Sequence, residues 1–323
     1  DYDMSHLLPG LKSTTFVGFN VTDVMRIGKA EYYPAYIVTP VADSIQLTYV
    51  HEGKSTPNFS NLHDYYSQRY SAFESLSYSN SFGSHDFQMA LTYSISRVSR
   101  HTIDAPEKQQ NGIWTGIYSY NDKYSIQGVL NYAGNSGFAK GKRYKLFPSV
   151  GISWIASEEN FMLGANCFDF LKLHAEAGII GYDNFMYPYY YRDNWNQSTG
   201  NSFGPYPGQQ WFGSGRDNSV YRTTPERIGN PYLTWEKRKE FSVGIEALMF
   251  NHKLTIEADY YNNLRDGEIT QLVNSLPYIA GYSGTVPSIN YNKTRYFGVE
   301  TGISFTDHVG EFKYSIGGNA TMQ

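Results

Sequence analysis

Residues Arg143 to Met162 read RYKLFPSVGISWIASEENFM, and this stretch decides the fold. Val150, Ile152 and Trp154 alternate with Ser149, Gly151 and Ser153, so one face of a β-strand is apolar and the other small and polar. Pro148 lacks an amide proton and stands at the start of the strand, where a missing ladder bond is tolerated. Ser157 ends the strand. Glu158 and Glu159 follow as a short helical turn, since acids suit a helix start. A soluble sheet and a membrane sheet both use such a strand, and the rest of the chain chooses between them.

Working outward, the same rhythm recurs. Phe87, Met89, Leu91, Tyr93 and Ile95 share one face of a strand over residues 86–96, opposite Asp86, Gln88, Ala90, Thr92 and Ser94. Further strands are predicted over 11–23, 72–80, 113–120, 123–133, 170–178, 234–249, 254–260, 297–305 and 312–322. Short strands are also expected around 35–38 and 45–50. Turn signals punctuate them: Leu8-Pro9-Gly10, Phe82-Gly83-Ser84, Asn121-Asp122, Phe250-Asn251-His252 and the run from Asp307 to Gly310.

Tight turns alternate with long connections, the longest at about 25–70, 180–232 and 262–291, with a polar loop over about 97–111. Strict up-and-down order produces this when one side of a sheet carries turns and the other carries free loops, as in outer-membrane barrels. The polar faces carry charge: Lys172, Glu176, Glu246, Glu257, Asp259, Glu300 and Lys313. Alternation alone does not separate a sandwich, with its polar face in water, from a barrel, with its polar face in a wet lumen. The asymmetry of the connections, with Tyr and Trp near strand ends, favours the barrel.

Composition agrees. Only 41% of the 323 residues are hydrophobic, and no apolar run reaches the roughly 18 residues of a spanning helix. A transmembrane β-barrel needs no such run, because alternate residues face lipid. Aromatic residues make up 17% of the chain and 30 residues are Tyr, a ring suited to a boundary between lipid and water. The net charge of -4, without a basic stripe, argues against nucleic acid as a partner. Cys167 is the single cysteine, which excludes an intrachain disulfide and a thiolate zinc site. No metal or other cofactor is expected. Enzyme signatures are lacking: Glu158 and Glu159 are neighbours on a turn, the His residues show no H-E-x-x-H spacing, and no G-x-S-x-G elbow occurs. Asp1 opens in what reads as the end of a strand, and Gln323 stops within an alternating run, so an internal piece of a longer chain is expected.

An ordered set of short motifs resembles the SusC/RagA family of TonB-dependent outer-membrane transporters of Bacteroidetes. The set comprises Leu8-Pro9-Gly10-Leu11; Phe82-Gly83-Ser84-His85; Tyr144 with Phe147-Pro148-Ser149, Trp154, Ser157, Glu159 and Phe161; Leu171-Lys172-Leu173 with Gly178, Gly181 and Asp183-Asn184; Gly229-Asn230-Pro231 with Leu233-Thr234-Trp235-Glu236; Tyr260-Tyr261; and Gly298-Val299-Glu300. The chain departs from the pattern at His174, where the family usually has Arg, and over residues 131–135, where many members have an R-x-D-G-S run. The resemblance implies an all-β, antiparallel, up-and-down transmembrane β-barrel, part of a 22-stranded barrel filled by a plug domain. It also implies a SusD-like surface lipoprotein as partner, coupling to the TonB complex through the plug, contact with outer-membrane lipid, and an outer-membrane location. The plug and the last strands are not recognisable among these residues, so the chain is expected to supply the middle and later part of the barrel wall.

Candidate substrate contacts lie in the long loop after residue 180: Tyr182, Asp183, Asn184, Tyr187, Tyr189, Tyr190, Tyr191, Trp195, Trp211 and Arg216. Aromatic faces beside amides and carboxylates suit sugar rings, and they suit peptides too. The same rings also serve to pack a loop on itself or on a lid. Glu176, Glu246, Glu257, Asp259, Glu300 and Lys313 are expected to face the lumen, and Trp154 to anchor the periplasmic interface. The expected function is import of an oligomeric nutrient, a glycan in preference to a peptide. The rivals are a soluble all-β carbohydrate-binding module and a barrel used for adhesion or secretion.

Overall fold

The computed structural model describes all residues except 25–27, 42–43, 52–53, 59–64, 101–104, 163, 165–166, 184–188, 199–221 and 274–285. Its strands are β1 (Tyr2–Asp3), β2 (Leu11–Val24), β3 (Gly28–Tyr32), β4 (Ala35–Val41), β5 (Ser44–His51), β6 (Lys54–Asn58), β7 (Tyr65–Phe82), β8 (His85–Arg100), β9 (Glu107–Tyr120), β10 (Tyr124–Asn135), β11 (Tyr144–Ile155), β12 (Phe168–Tyr182), β13 (Asn194–Ser198), β14 (Arg222–Arg227), β15 (Glu236–Met249), β16 (Leu254–Gln271), β17 (Ser288–Val309) and β18 (Phe312–Met322). Twelve of them form one sheet in the order β1-β2-β7-β8-β9-β10-β11-β12-β15-β16-β17-β18. Sequence neighbours are sheet neighbours throughout, apart from two excursions, so the topology is up-and-down. The pairs whose register is resolved in this sheet are all antiparallel.

The chain divides into two compact units. One comprises Asp1–Phe16, Ala72–Ile95 and Glu107–Gln323. The other comprises Val17–Ser71 and Ser96–Pro106, and within it β4 and β5 form a hairpin nested inside the β3–β6 pair. The span 25–70, expected as a long loop with short strands around 35–38 and 45–50, holds those two as β4 and β5, two further strands, β3 and β6, and the first residues of β7. The other connections are also shorter than the sequence suggested: β9 starts at Glu107, β16 runs to Gln271 and β17 starts at Ser288. Beyond the lipid there is no apolar solvent to impose alternation, so ladders continue there through polar residues that read as loop.

Burial decides the kind of sheet. Val150 is 48% exposed and Ile152 is 55% exposed, whereas Gly151 between them is buried. Met89, Leu91, Tyr93, Ile95, Phe241, Val243, Phe297 and Ile303 are likewise exposed, each on the apolar phase of its strand. A soluble sandwich buries this phase between its sheets. Here the apolar face is the outward one, which is the arrangement of a sheet solvated by lipid. Trp114 lies flat on that face: a Cβ at Gly116 would stand 2.7 Å from its ring and one at Gly128 3.2 Å.

The tight turns use the residues their geometry demands. Asn121 and Asp122 have φ of 52° and 56°, both positive, as the hairpin turn that follows strand twist requires. The helical turn expected at Glu158 and Glu159 forms earlier, over Ala156–Glu158 directly after β11, with Glu159 already extended. Next to it the Tyr124 hydroxyl and the Trp154 indole nitrogen both donate to Glu159. Those bonds, the Tyr124 one first, hold the Glu159 carboxyl below its usual range. Trp154 is thus fixed at the turn end of its strand, where a girdle residue belongs.

Candidate functional site

Cross-strand register sets the polar face of β12, β15, β16 and β17 out in rows. His174, Gly244, Asp259 and Glu300 form one row. The row on the tight-turn side is Lys172, Glu246, Glu257 and Gly302; the row on the loop side is Glu176, Ser242, Tyr261 and Gly298. Glycine makes the middle row work. A Cβ at Gly244 would collide with the Asp259 carboxylate and come within 2.6 Å of the His174 ring. Without it, His174 reaches across β15, and its Nε2 lies 2.8 Å from Asp259 Oδ1. A carboxylate only accepts, so the proton of this bond sits on Nε2. The other ring nitrogen is buried and lies 3.9 Å from Glu246 Oε1, too far for a hydrogen bond. Glu246 instead accepts from Lys172 Nζ at 2.9 Å, and Glu176 accepts from the Ser242 hydroxyl at 2.9 Å.

Above this network the wall opens into a recess of about 660 Å³. His174, Glu176, Asp259, Glu300 and Ser242 line it together with Arg238, Arg265, Asn263, Tyr261, Tyr296 and Gln323. A neighbouring hollow of about 230 Å³ is lined by Gln127, Ser153, Lys172 and Glu246, among others. The face thus offers two phenol rings, amide and hydroxyl groups, and charges of both signs. These groups suit hydrogen bonding and ring contact.

Of the lumen residues expected from sequence, Glu176, Asp259 and Glu300 meet at the recess and Glu246 lies in the hollow beside it. Glu257 shares the wall without lining either, and Lys313 lies opposite His308 on β17 and β18. Sequence reasoning missed Arg238, Asn263, Arg265 and Tyr296. All four sit on the polar phase of their strands; Asn263 and Arg265 fall within a stretch that read as a connection, Tyr296 just ahead of a predicted strand, and Arg238 inside one.

The loop candidates divide. Tyr182 is 44% exposed and Trp195, on the β13–β14 hairpin, 57%. Asp183 is taken up by structure: its Oδ2 accepts from Asn135 at 2.7 Å and from Gln109 at 3.1 Å. Tyr189 is 9% exposed, and the Arg192 guanidinium packs 5.2 Å from its ring and 5.3 Å from that of Tyr191. Arg227 lies 5.7 Å over Tyr190. These tyrosines hold the loop together. Asn184, Tyr187, Trp211 and Arg216 lie outside the described residues.

The motifs themselves converge on a buried cluster at the loop end of β11. The β11–β12 ladder stops at Ser149–Gly178. Beyond it Phe147 meets Trp235 edge-on at 5.3 Å, and Phe138 stacks on the other side of the indole at 5.2 Å. Ala133 and Ile179 complete the cluster. Trp235 Nε1 donates to the Arg143 carbonyl at 2.9 Å, and Gly181 leaves room for the Phe147 ring. Phe147 is only 5% exposed, because the end of the ladder opens a space beside β12 that the ring fills.

A twelve-stranded up-and-down antiparallel sheet with an exposed apolar face and a charged, recessed polar face is the wall of an outer-membrane β-barrel. No family model matches the chain. Curated relatives do. It is 32% identical over 148 residues to TonB-dependent receptor P26 of Formosa agariphila, covering 45% of this chain and 13% of that one. It is 30% identical over 168 residues to TonB-dependent receptor SusC of Bacteroides thetaiotaomicron, covering 51% of this chain and 15% of that one. TonB-dependent receptor P3 of Formosa agariphila aligns over 89% of this chain, at 23% identity and 28% of its own length. The chain therefore spans well under a third of these relatives. Among solved structures, the RagAB peptide importer in its closed-closed state superposes with a TM-score of 0.66 at 16% identity, over 98% of this chain and 35% of that one. The siderophore receptor PirA from Acinetobacter baumannii gives 0.51 at 9% identity, over 96% and 42%. In sequence the chain is similar to TonB-dependent receptors, SusC among them, and in fold it matches part of the barrel of the RagAB importer.

Proposed function

We propose that this chain lines the path of an oligomeric nutrient, a glycan in preference to a peptide, in a TonB-dependent importer. The observation that carries the reading is the recess on the polar face, where Tyr261 and Tyr296 stand beside Asn263 and a mixed set of charges. Sugar rings present C–H faces to phenols and hydroxyl edges to amides, carboxylates and guanidinium groups. The whole receptor would be driven through TonB by way of a plug domain and would work with a SusD-like lipoprotein lid. Relatives named SusC and RagAB support that arrangement. The mechanism is capture and gated release without covalent chemistry, so the protein is not an enzyme.

The test is growth of a strain carrying the full-length receptor, against a deletion strain, on a panel of glycans and peptides. Deletion should abolish growth on one glycan, and Tyr261→Ala with Tyr296→Ala in the full-length receptor should slow growth on that glycan at normal surface abundance. Growth lost only on peptides overturns the glycan preference. Normal growth of the deletion strain on every oligomer overturns import.

A further inference from the structure

The apolar face of β15, β16 and β17 ends abruptly and in register. Met249, Leu254 and Phe305 are cross-strand partners at the tight-turn end, and Lys239, Leu264 and Arg295 are partners nearer the loops. Between those rows each strand advances about 33 Å at ~3.3 Å per residue, or about 25 Å vertically at barrel tilt, the height of a lipid-facing band. Above Phe241 and Phe297 the same face turns basic: Lys239 and Arg295, then Lys237 and Lys293 on either side of Asp266. Asp266 is the one carboxylate among the described residues of this face above the band, so four cations face one anion.

The cations are held in place. Asp266 receives Lys239 at 3.1 Å and Lys293 at 3.3 Å, and those two side chains are 48% and 66% exposed. The Arg295 guanidinium lies 5.7 Å over the Phe297 ring, with Nε bonded to Asn262 Oδ1 at 3.0 Å. On the opposite face of these strands the cations are balanced instead: Arg238 pairs with Glu240, and Arg265 with Glu268 at 3.3 Å.

We propose that Lys239, Lys293 and Arg295 form a docking site for the phosphorylated headgroup of an outer-leaflet glycolipid. Charge and position both select that partner. The excess is positive, it sits at headgroup height, and it is continuous with the surface that touches acyl chains. A phosphate there accepts from the guanidinium fork and from ammonium groups already oriented by Asp266.

The test uses the full-length receptor in detergent, titrated with a phosphorylated lipid A and with the same glycolipid after phosphatase treatment, and read by native mass spectrometry. The phosphorylated lipid should bind and the dephosphorylated one should not. Each neutralised cation weakens attraction to an anionic headgroup about five-fold, so K239Q/K293Q/R295Q should bind about 100-fold more weakly. R238Q/R265Q, on the polar face, should bind as the parent does. R295Q alone should lose about five-fold and serves if the triple variant fails to assemble. Equal binding of the two lipids, or an unchanged affinity in R295Q, overturns the proposal. Loss of a co-purifying surface protein in the triple variant with lipid binding intact assigns the patch to that protein and overturns it too.

Discussion

Trp235 is the residue on which the loop end of the wall should depend most. It is 5% exposed, lies between Phe138 and Phe147, and bonds through Nε1 to the carbonyl of Arg143, a residue 92 positions away. Truncating a buried Trp to Ala removes its transfer energy and leaves a cavity, about 3–5 kcal/mol. The hydrogen bond adds about 1 kcal/mol. Trp235→Phe keeps a stacked ring and forfeits mainly that bond, so it should cost about 1–2 kcal/mol. The loss should appear locally, because Phe138 and Arg143 belong to the connection between β10 and β11. Lys140 and Lys142 on that connection are exposed. In the full-length receptor, Trp235→Ala should therefore be cut by trypsin there much faster than the parent, with Trp235→Phe between them. Denaturant unfolding in micelles supplies the energy. A Trp235→Ala cost below about 1 kcal/mol, with cleavage unchanged, would refute the cluster as a source of order.

Other consequences are simpler to read. Gly244→Ala places a methyl group on Asp259 and His174; it should cost about 1–3 kcal/mol by overpacking and weaken uptake, while surface abundance stays normal by immunoblot. Burial, reinforced by Glu268, raises the Glu236 carboxyl above its usual value, although the Ile269 amide donates to it. The folded state then holds the proton more tightly than the unfolded one, so this group's contribution to stability falls as pH rises from the unfolded value through the folded one. Glu236→Gln should flatten that part of the pH–stability curve, and an unchanged curve would refute the assignment. Glu159→Gln weakens the acceptor shared by Tyr124 and Trp154, and the fluorescence of a receptor retaining only Trp154 should report a more mobile indole.

The membrane phase of the fold was legible because lipid imposes it: Val150, Ile152 and their counterparts show which face is wet from sequence alone. Strand ends were not, since the upper parts of β9, β16 and β17 stand clear of lipid and alternate weakly. The acids of the recess were legible as polar-phase residues, but their meeting with Arg238, Arg265 and Tyr296 needed register across four strands. Asp183 and Tyr189 show the opposite case. Their chemistry suits a ligand, yet Asn135 and Arg192 engage them first. The motif residues Phe147, Gly181 and Trp235 proved to be partners in one cluster, a packing role that spacing along the chain conceals.

The central claim is that Val150, Ile152 and Trp154 face lipid while Gly151 and Ser153 face water. Single cysteines at 149 to 154, placed in the full-length receptor with Cys167 replaced by Ser, test it in intact outer membranes. A membrane-impermeant maleimide should label 149, 151 and 153 once the interior is opened by mild denaturation of any plug, and should spare 150, 152 and 154. A lipid-soluble quencher should reach only the second set. Labelling in the opposite phase, or without alternation, would contradict the account.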